Sequence, residues 1–233
     1  QSREEDFNTL EYESLAQNPK VVGIGECGLD YYRLPNNDDE DRVKGLQKDA
    51  FVAQIKLAQE LNKALVIHCR SSAGTQDAYE DILKILDKEL GFNLSASDAF
   101  GLSPQEGRGP QSAVVPSPFE ERVRERLRFE IHSFTGIPEI AQEFVKRGAY
   151  VGLNGIITFD KTGNMQKVVE AVPLDRIVLE TDSPYLTPTP HRGKRNEPAF
   201  VKFVAEKVAE IKNLSFNEFA EATTANAKKL FSI

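Results

Sequence analysis

Two acidic residues and two histidines each follow a short apolar segment of the sequence. They are Glu26, His68, His132 and Asp182. In parallel α/β folds the carboxyl ends of neighbouring strands meet at one face, so we expect these side chains to converge. Imidazole and carboxylate ligands together suit Mg²⁺, Mn²⁺ or Zn²⁺. The sequence therefore predicts a divalent metal site, and one bridging carboxylate would allow two ions about 3.5–4 Å apart.

Each of these residues also has a structural interpretation when it is taken alone. A histidine at the end of a buried strand is often a hydrogen-bonded part of the framework, which applies to His68 and His132. Glu26 and Asp182 could instead cap the helices that follow them. The joint pattern favours a metal site, because two of only three histidines and both acids share the same strand-end position.

Two arginines are candidates for binding the phosphates of a substrate. Arg70 comes two residues after His68. Because side chains alternate along a strand, it should point to the same side of the sheet as His68. A salt bridge to Glu26 or Asp30 is the alternative. Arg192 belongs to a basic loop, P-T-P-H-R-G-K-R-N-E-P, which also contains His191. A solvated loop with no binding role is the alternative there.

The two cysteines of the chain directly follow candidate ligands. Cys27 comes after Glu26, and Cys69 comes after His68. Because successive strand residues face opposite sides, both thiols should point away from the site and pack in the core. Two cysteines are too few for a disulfide scaffold and fit a reducing compartment, so we expect an intracellular protein of the cytoplasm, the nucleus or both.

Five strand-like segments alternate with helical patterns and position these residues. The strands are predicted at Val21–Gly25, Ala64–His68, Arg128–His132, Ala149–Leu153 and Arg176–Glu180. The main helical patterns cover Lys48–Lys63, Asp77–Leu90, Pro138 to Gly148, Phe200–Ile211 and the segment after Ser215, where Ser215 and Glu218 form a capping box. Apolar strands separated by helices indicate a parallel sheet covered on both faces. The sequence therefore predicts an α/β fold.

Composition limits the classes of function. The chain has 233 residues, 40% of them hydrophobic, and a net charge of −7. The hydrophobic fraction excludes a wholly disordered chain. The negative charge argues against binding nucleic acid mainly through a basic surface. It is compatible with a nuclease that binds phosphates through metal ions. No apolar run approaches the roughly 18 residues of a membrane span. The segment Gly91–Phe119 is rich in Gly, Pro and Ser, and we expect a disordered insertion within a single domain.

The motifs of the chain resemble the TatD-related metal-dependent deoxyribonucleases of the amidohydrolase superfamily. The resemblance covers nearly all of the chain outside the insertion. The motifs are, in order, V-V-G-I-G-E-C-G-L-D-Y-Y-R, V-I-H-C-R, I-H-S-F-T-G, V-G-L-N-G, V-L-E-T-D-S-P-Y-L-T-P, R-G-K-R-N-E-P and N-A-K-K-L-F. The form G-E-C-G-L-D and the insertion are more similar to the eukaryotic branch than to the bacterial one.

This resemblance implies a TIM-type (β/α)₈ barrel and exonuclease-type hydrolysis of DNA phosphodiester bonds. It also implies one or two divalent metal ions bound by Glu26, His68, His132 and Asp182, with Glu26 as the bridge. Asp182 would both bind metal and orient or deprotonate the attacking water, which makes it the catalytic residue.

The chain departs from the family pattern at its beginning. The family starts with a first strand bearing H-x-H and two further βα units, and these motifs are not present here. The stretch Arg3–Lys20 resembles the helix before the family's fourth strand, so we expect five of eight strands and about 90 missing residues. The metal that depends on the first strand would then be weakened or lost. A metal held by Glu26, His68 and His132 would be more secure.

Three functional hypotheses follow from the sequence. The first is a metal-dependent nuclease. The second is a metal-dependent hydrolase of a small amide or lactone, because nearly the same ligands serve both reactions on one fold. The third is a truncated, catalytically impaired remnant that folds only partly or serves as a binding partner.

Overall fold

Five parallel strands form one sheet in which neighbours in space are also neighbours in sequence. The structure is a computed structural model and describes residues 7–35, 39–92 and 127–233. The strands are β1 (Gly23–Asp30), β2 (Ala64–Arg70), β3 (Phe129–His132), β4 (Tyr150–Leu153) and β5 (Ile177–Leu179). A sequential, all-parallel order is the arrangement of a (β/α) barrel wall.

Helices precede, separate and follow the strands, and most of them pack on the outer face of the sheet. They are α1 (Thr9–Ala16), α2 (Glu40–Glu60), α3 (Asp77–Leu90), α4 (Pro138–Lys146), α5 (Asn164–Ala171), α6 (Val201–Lys212) and α7 (Phe216–Phe231). Three short 3₁₀ turns lie at Gly155–Thr158, Leu174–Arg176 and Pro198–Phe200. The predicted α/β fold is confirmed. The predicted insertion at Gly91–Phe119 lies outside the described residues, apart from its first two.

The hydrophobic core lies between the helices and the sheet. Fully buried side chains of the outer helices include Phe51 and Ile55 of α2, Ile82 of α3, Phe144 of α4 and Phe219 of α7. Burying each such side chain contributes about 1.5–3 kcal/mol relative to exposing it. The capping box of Ser215 and Glu218 forms as predicted at the start of α7.

Two element boundaries differ from the sequence-based prediction in a way that affects the site. β1 was expected to end at Gly25 but continues to Asp30, with a register shift between Ile24 and Cys27 against β2. Glu26 therefore lies inside a strand and at a bulge. α2 begins at Glu40, eight residues before the predicted start at Lys48, because none of its first eight residues is buried and only Val43 and Leu46 among them are large apolar residues.

The helices give no sign of a membrane segment. In the part of the chain that the structure describes, none combines the length and the apolar character that crossing a bilayer requires.

Candidate metal centre

The carboxyl-terminal parts of β2 and β3 and the bulge within β1 bring the predicted ligands together. His68 and His132 are register partners on adjacent strands. Glu26 directs its two oxygens to the two rings, with Oε2 at 3.6 Å from Nδ1 of His68 and Oε1 at 3.8 Å from Nε2 of His132. Asp182 approaches from the loop after β5, with Oδ1 at 3.5 Å from the same Nε2 of His132. All four predicted side chains thus meet at one end of the sheet.

The helix-capping interpretation of the two acids is wrong. Glu26 lies within β1 and does not precede a helix. Asp182 lies in a turn in which its carbonyl oxygen accepts a hydrogen bond from the Tyr185 amide at 2.9 Å, and α6 starts only at Val201.

His132 has a second carboxylate partner on its other ring nitrogen. Nδ1 donates to Oε2 of Glu180, and the other oxygen of Glu180 accepts the backbone N–H of Ser133. Glu180 is held in turn against Gly152, where a Cβ atom would lie 3.1 Å from its carboxyl group. A histidine that donates from Nδ1 presents Nε2 as the free lone pair, which is the usual arrangement of an imidazole ligand.

The charges of the site reinforce one another. Hydrogen bonding to His68 holds the pKa of Glu26 below its usual value, and the charge of His132 acts in the same direction. Hydrogen bonding to His132 likewise lowers the pKa of Asp182. Burial of the His132 ring opposes its protonation, but Asp182 and Glu180 outweigh this and raise its pKa to about 10. In the metal-free protein a positive ring therefore sits among ionised carboxylates.

A fourth acid lies deeper on the same inward face. Glu130 precedes His132 by two residues on β3 and is 7% exposed. Burial raises its pKa to about 7, and the nearby charge of Glu180 adds to the effect. The concentration of acids on this face favours a bound cation.

The loop after β5 is folded tightly enough to fix Asp182. The backbone of Asp182 is in the left-handed region, with φ of 58°. Asn196 is buried and donates from Nδ2 to the carbonyl oxygens of Thr181 and Tyr185, at 2.7 and 2.6 Å. On the other side, Asn154 donates to Oγ of Ser133 at 2.8 Å. Asn196 thus braces the backbone beside Asp182, and Asn154 holds the Ser133 side chain beside His132.

The donor set fits a divalent cation in its chemistry and nearly in its spacing. Two donors that bind one ion at about 2.1 Å are roughly 3.0–3.4 Å apart. The spacings of 3.5 to 3.8 Å around Glu26 and His132 are a few tenths of an ångström wider. Accordingly, no three acidic, histidine or cysteine side chains among the described residues already surround a single point as a closed cage. Small side-chain movements would bring these donors to ligand distance.

The two predicted substrate-binding arginines each lie against an aromatic ring, and Arg70 does not form the salt bridge to Glu26 or Asp30 that the sequence offered as the alternative. The Arg70 guanidinium lies 3.9 Å from the centroid of the Tyr32 ring and makes no salt bridge with a described acid. Arg192 lies 3.7 Å from the centroid of the Phe159 ring and donates to the Thr187 carbonyl at 3.0 Å. The nearby His191 stacks on Phe200 with ring centroids 4.4 Å apart, so it belongs to an aromatic cluster.

Both thiols are packing groups, as predicted. Cys27 and Cys69 are free and buried. Burial raises the pKa of each thiol well above its ordinary value, which leaves them protonated and unreactive at neutral pH.

Three residues of the site were not identified from sequence as functional. Glu180 has the same signal as the predicted ligands, because it directly follows the buried strand β5. Asp30 places Oδ2 at 3.6 Å from Nε2 of His68, but the bulge in β1 hides this alternation from the sequence. Asn196 is fixed by backbone contacts of an irregular loop, and no sequence signal indicates it.

Comparison with known proteins gives a consistent result. The model of the family described as "TatD related DNase" matches residues 1–232. The metal-dependent hydrolase YabD of Bacillus subtilis, named as uncharacterized, is 38% identical over 230 residues, which cover 99% of this chain and 72% of that protein. A protein of Escherichia fergusonii named 3'-5' ssDNA/RNA exonuclease TatD is 31% identical over 224 residues, covering 94% of this chain and 69% of its own length.

A solved structure shares the fold. The crystal structure of YJJV, a TatD homolog from Escherichia coli K12, superposes with a TM-score of 0.70 at 22% identity and covers 98% of this chain and 71% of that one. The predicted TIM-type α/β fold is thereby confirmed. The two sequence relatives are bacterial and give no support to the expected eukaryotic branch, which stays a prediction.

Proposed function

The chain belongs to the TatD-related DNase family of metal-dependent hydrolases, and we propose that it hydrolyses DNA phosphodiester bonds as an exonuclease. The observation that carries this proposal is the position of Glu26. Its two carboxylate oxygens face two different histidines, and Asp182 lies near the same nitrogen of the second histidine.

Glu26, His68, His132 and Asp182 would hold one or two divalent ions, Mg²⁺, Mn²⁺ or Zn²⁺, in this proposal. Glu26 would be the ligand shared between two ions, because each of its oxygens is directed to a different ring. A bound ion would polarise the phosphoryl oxygen and activate a water molecule as nucleophile. Glu180 keeps His132 in the tautomer that presents Nε2.

Asp182 acts as the general base. The proximity of His132 keeps its carboxyl group ionised at neutral pH, so it is ready to accept a proton. Oδ1 faces His132, which leaves Oδ2 to orient a water molecule and take its proton. The side chain is 33% exposed, and this gives it access to water at the open end of the sheet.

Positive groups favour a phosphate-bearing substrate over a neutral amide or lactone. Arg70 has no acidic partner among the described residues and lies on the strand of His68. Arg192 is a second candidate contact for the nucleic acid backbone. The relative named as an exonuclease acts, by its name, on single-stranded DNA and RNA, which supports the same class of substrate. A location in the cytoplasm or nucleus is part of this proposal.

The replacement Asp182→Asn tests the function directly. The amide keeps the shape of the side chain but cannot accept the proton of water, so we expect the rate of single-stranded DNA cleavage to fall by about 10²- to 10⁴-fold. The assay follows a labelled oligonucleotide in Mg²⁺ or Mn²⁺.

Asp175→Asn is the matched control. Asp175 is exposed and lies before β5, at the opposite end of that strand from the site. The control should cleave DNA at the parent rate. The proposal fails if the parent protein leaves single-stranded DNA intact in either metal yet hydrolyses an amide or lactone.

A further inference from the structure

An exposed aromatic ring with two arginines lies beside the candidate metal centre. Tyr32 follows the end of β1 and is 43% exposed. The guanidinium carbon of Arg70 lies 3.9 Å from the centre of its ring, and that of Arg33 lies 5.7 Å away. At 3.9 Å the planar guanidinium of Arg70 packs directly on the tyrosine. We refer to Tyr32, Arg33 and Arg70 as the aromatic–arginine rim.

Asp30 connects the rim to the metal centre. One of its carboxylate oxygens lies 3.6 Å from Nε2 of His68. The other accepts the backbone N–H of Tyr32 at 3.0 Å. Asp30 is also the register partner of Arg70 across β1 and β2. Asp30 therefore contacts both the candidate ligand His68 and the Tyr32 backbone of the rim.

The rim is built on a rigid base. The backbone N–H of Tyr31 donates to the Arg70 carbonyl at 2.7 Å, and its buried hydroxyl donates to Asp81 at 3.2 Å. Gln47 forms two hydrogen bonds with the backbone of Asp30, at 2.8 and 3.0 Å. These contacts fix the backbone that leads into Tyr32 before any ligand arrives, which lowers the entropy lost on binding.

The two arginines of the rim retain their positive charge for a ligand. Neither Arg33 nor Arg70 forms a salt bridge with any acid in the described ranges. By contrast, the structural Arg147 is buried between Asp87 and Glu143, with contacts of 2.6 to 2.9 Å. In a protein with a net charge of −7, unneutralised arginines around an exposed ring point to an anionic ligand that also has a flat face.

We propose that the aromatic–arginine rim binds a nucleotide of single-stranded nucleic acid next to the metal centre. The nucleobase stacks on the layer formed by Arg70 and Tyr32, and the adjoining phosphates contact the two arginines. Bases stack in this way only when they are unpaired, because the faces of paired bases are covered by their neighbours. The rim thus selects single strands and reads the presence of a base without reading its identity. This inference rests on the proposed function and adds a base-dependent contact to it.

Binding to normal and abasic strands tests the rim. The probes are two fluorescent phosphorothioate oligonucleotides, which resist cleavage, identical except that one carries abasic sites along its length. Fluorescence anisotropy is measured in Mn²⁺ with the full chain. We expect Tyr32→Ala to weaken binding of the normal strand by about five- to a hundredfold and to leave binding of the abasic strand within about twofold.

Two further variants separate stacking from charge and from folding. Arg70→Lys keeps the charge but loses the planar group, so it should weaken the normal strand more than the abasic one. Tyr32→Phe keeps the ring and should behave like the parent. Tyr12→Ala is the matched control, because Tyr12 is 45% exposed but lies on the outer helix α1, and it should bind both strands normally.

The outcomes distinguish the rim from the proposed function. If the parent cleaves ordinary single-stranded DNA but Tyr32→Ala binds the two probes with equal losses or none, the rim is wrong and the nuclease stands. If the parent neither binds nor cleaves single-stranded DNA, both fail. A selective loss on the normal strand, restored by Tyr32→Phe, supports the rim.

Discussion

His132 is the residue on which the candidate centre depends, because carboxylates face both of its ring nitrogens. Glu26 and Asp182 lie near Nε2, and Glu180 accepts from Nδ1. The raised pKa of about 10 means that the ring is protonated at neutral pH without metal. A cation that binds Nε2 must displace this proton, so metal binding releases a proton and strengthens as pH rises. In the metal-free protein, the positive charge of the His132 ring therefore lies among the carboxylates where the charge of a bound metal ion would lie.

The replacement Glu180→Gln should weaken metal binding while the ligands themselves stay unchanged. The carboxylate accepts both from Nδ1 of His132 and from the N–H of Ser133. An amide has only one oxygen, so one of these donors would face an NH₂ group. Loss of such an outer partner typically costs 10- to 100-fold in metal affinity, and we expect that loss in calorimetric titration with Mn²⁺.

Glu170→Gln is the control for this change. Glu170 is exposed on α5, and its carboxylate accepts a surface hydrogen bond from Gln166 at 2.9 Å, so metal affinity should not change. Nitrogen chemical shifts of His132 followed against pH give a second measurement, since loss of the Glu180 charge should lower the pKa of the ring. Unchanged affinity together with an unchanged pKa of His132 would show that Glu180 does not position His132.

At the scale of single elements, strand ends were predictable and irregular backbone was not. The sequence pattern of an apolar run followed by a polar residue placed His68 and His132 correctly on β2 and β3. The bulge in β1 is set by pairing with β2, and pairing partners are not visible in one strand's sequence. The loop that carries Asp182 depends on Asn196, which contacts Thr181 and Tyr185 across 15 and 11 residues of the chain. The hydrophobic periodicity of a local segment therefore predicts neither the bulge in β1 nor the shape of this loop.

The turn between β2 and α3 offers a prediction at this scale. Asp77 begins α3 and accepts four hydrogen bonds, from N and Oγ of Ser72, Oγ1 of Thr75 and the N–H of Ala78, at 2.7 to 3.0 Å. Partial burial favours the protonated acid, but these hydrogen bonds outweigh it and lower the pKa of Asp77 to about 2. The turn directly follows Arg70, so Asp77 also stabilises the base of the rim.

We expect Asp77→Asn to lower the free energy of unfolding by about 1–2 kcal/mol at pH 7. Because the folded pKa lies below the ordinary value of 3.8, the ionised group stabilises the fold fully above about pH 4. This contribution disappears as pH falls through about 2, so the difference between the variant and its parent should shrink there. Urea denaturation at pH 7 and near pH 2 measures both values.

Asp49→Asn is the control for the turn. Asp49 is exposed on α2, and its replacement should change stability little at either pH. A deficit in Asp77→Asn that is as large near pH 2 as at pH 7 would contradict the assignment, since it could not come from the carboxylate charge.

At the scale of the whole molecule, the order of strands was the most predictable property. Five βα units in sequence order give a sequential parallel sheet, and right-handed crossovers leave little choice of topology. The chain spans about 71% of the length of the solved structure that it matches. The distribution of charge was less predictable, because the total of −7 does not reveal that Arg33 and Arg70, which pair with no acid in the described ranges, lie beside the acidic centre.

This uneven charge predicts a weak dependence of DNA binding on salt. Each phosphate contact on a single strand contributes a slope of about −0.7 to the logarithm of affinity against the logarithm of salt concentration. Contacts by Arg33 and Arg70 alone give about −1.4, and adding Arg192 gives about −2.1. The surplus of acidic residues makes the slope shallower still. Salt screens the repulsion between these acids and the DNA strand, and this offsets part of the affinity lost as salt rises.

The measurement is the affinity for the phosphorothioate strand between 50 and 200 mM KCl at constant Mn²⁺, a range over which such slopes are readily resolved. Arg70→Gln should make the slope shallower by about 0.7, whereas Lys167→Gln, on the exposed face of α5, should leave it unchanged. A slope steeper than about −4 would require six or more phosphate contacts. So many contacts need an extended basic surface. Such a slope would therefore contradict binding of DNA through the metal centre and the rim alone.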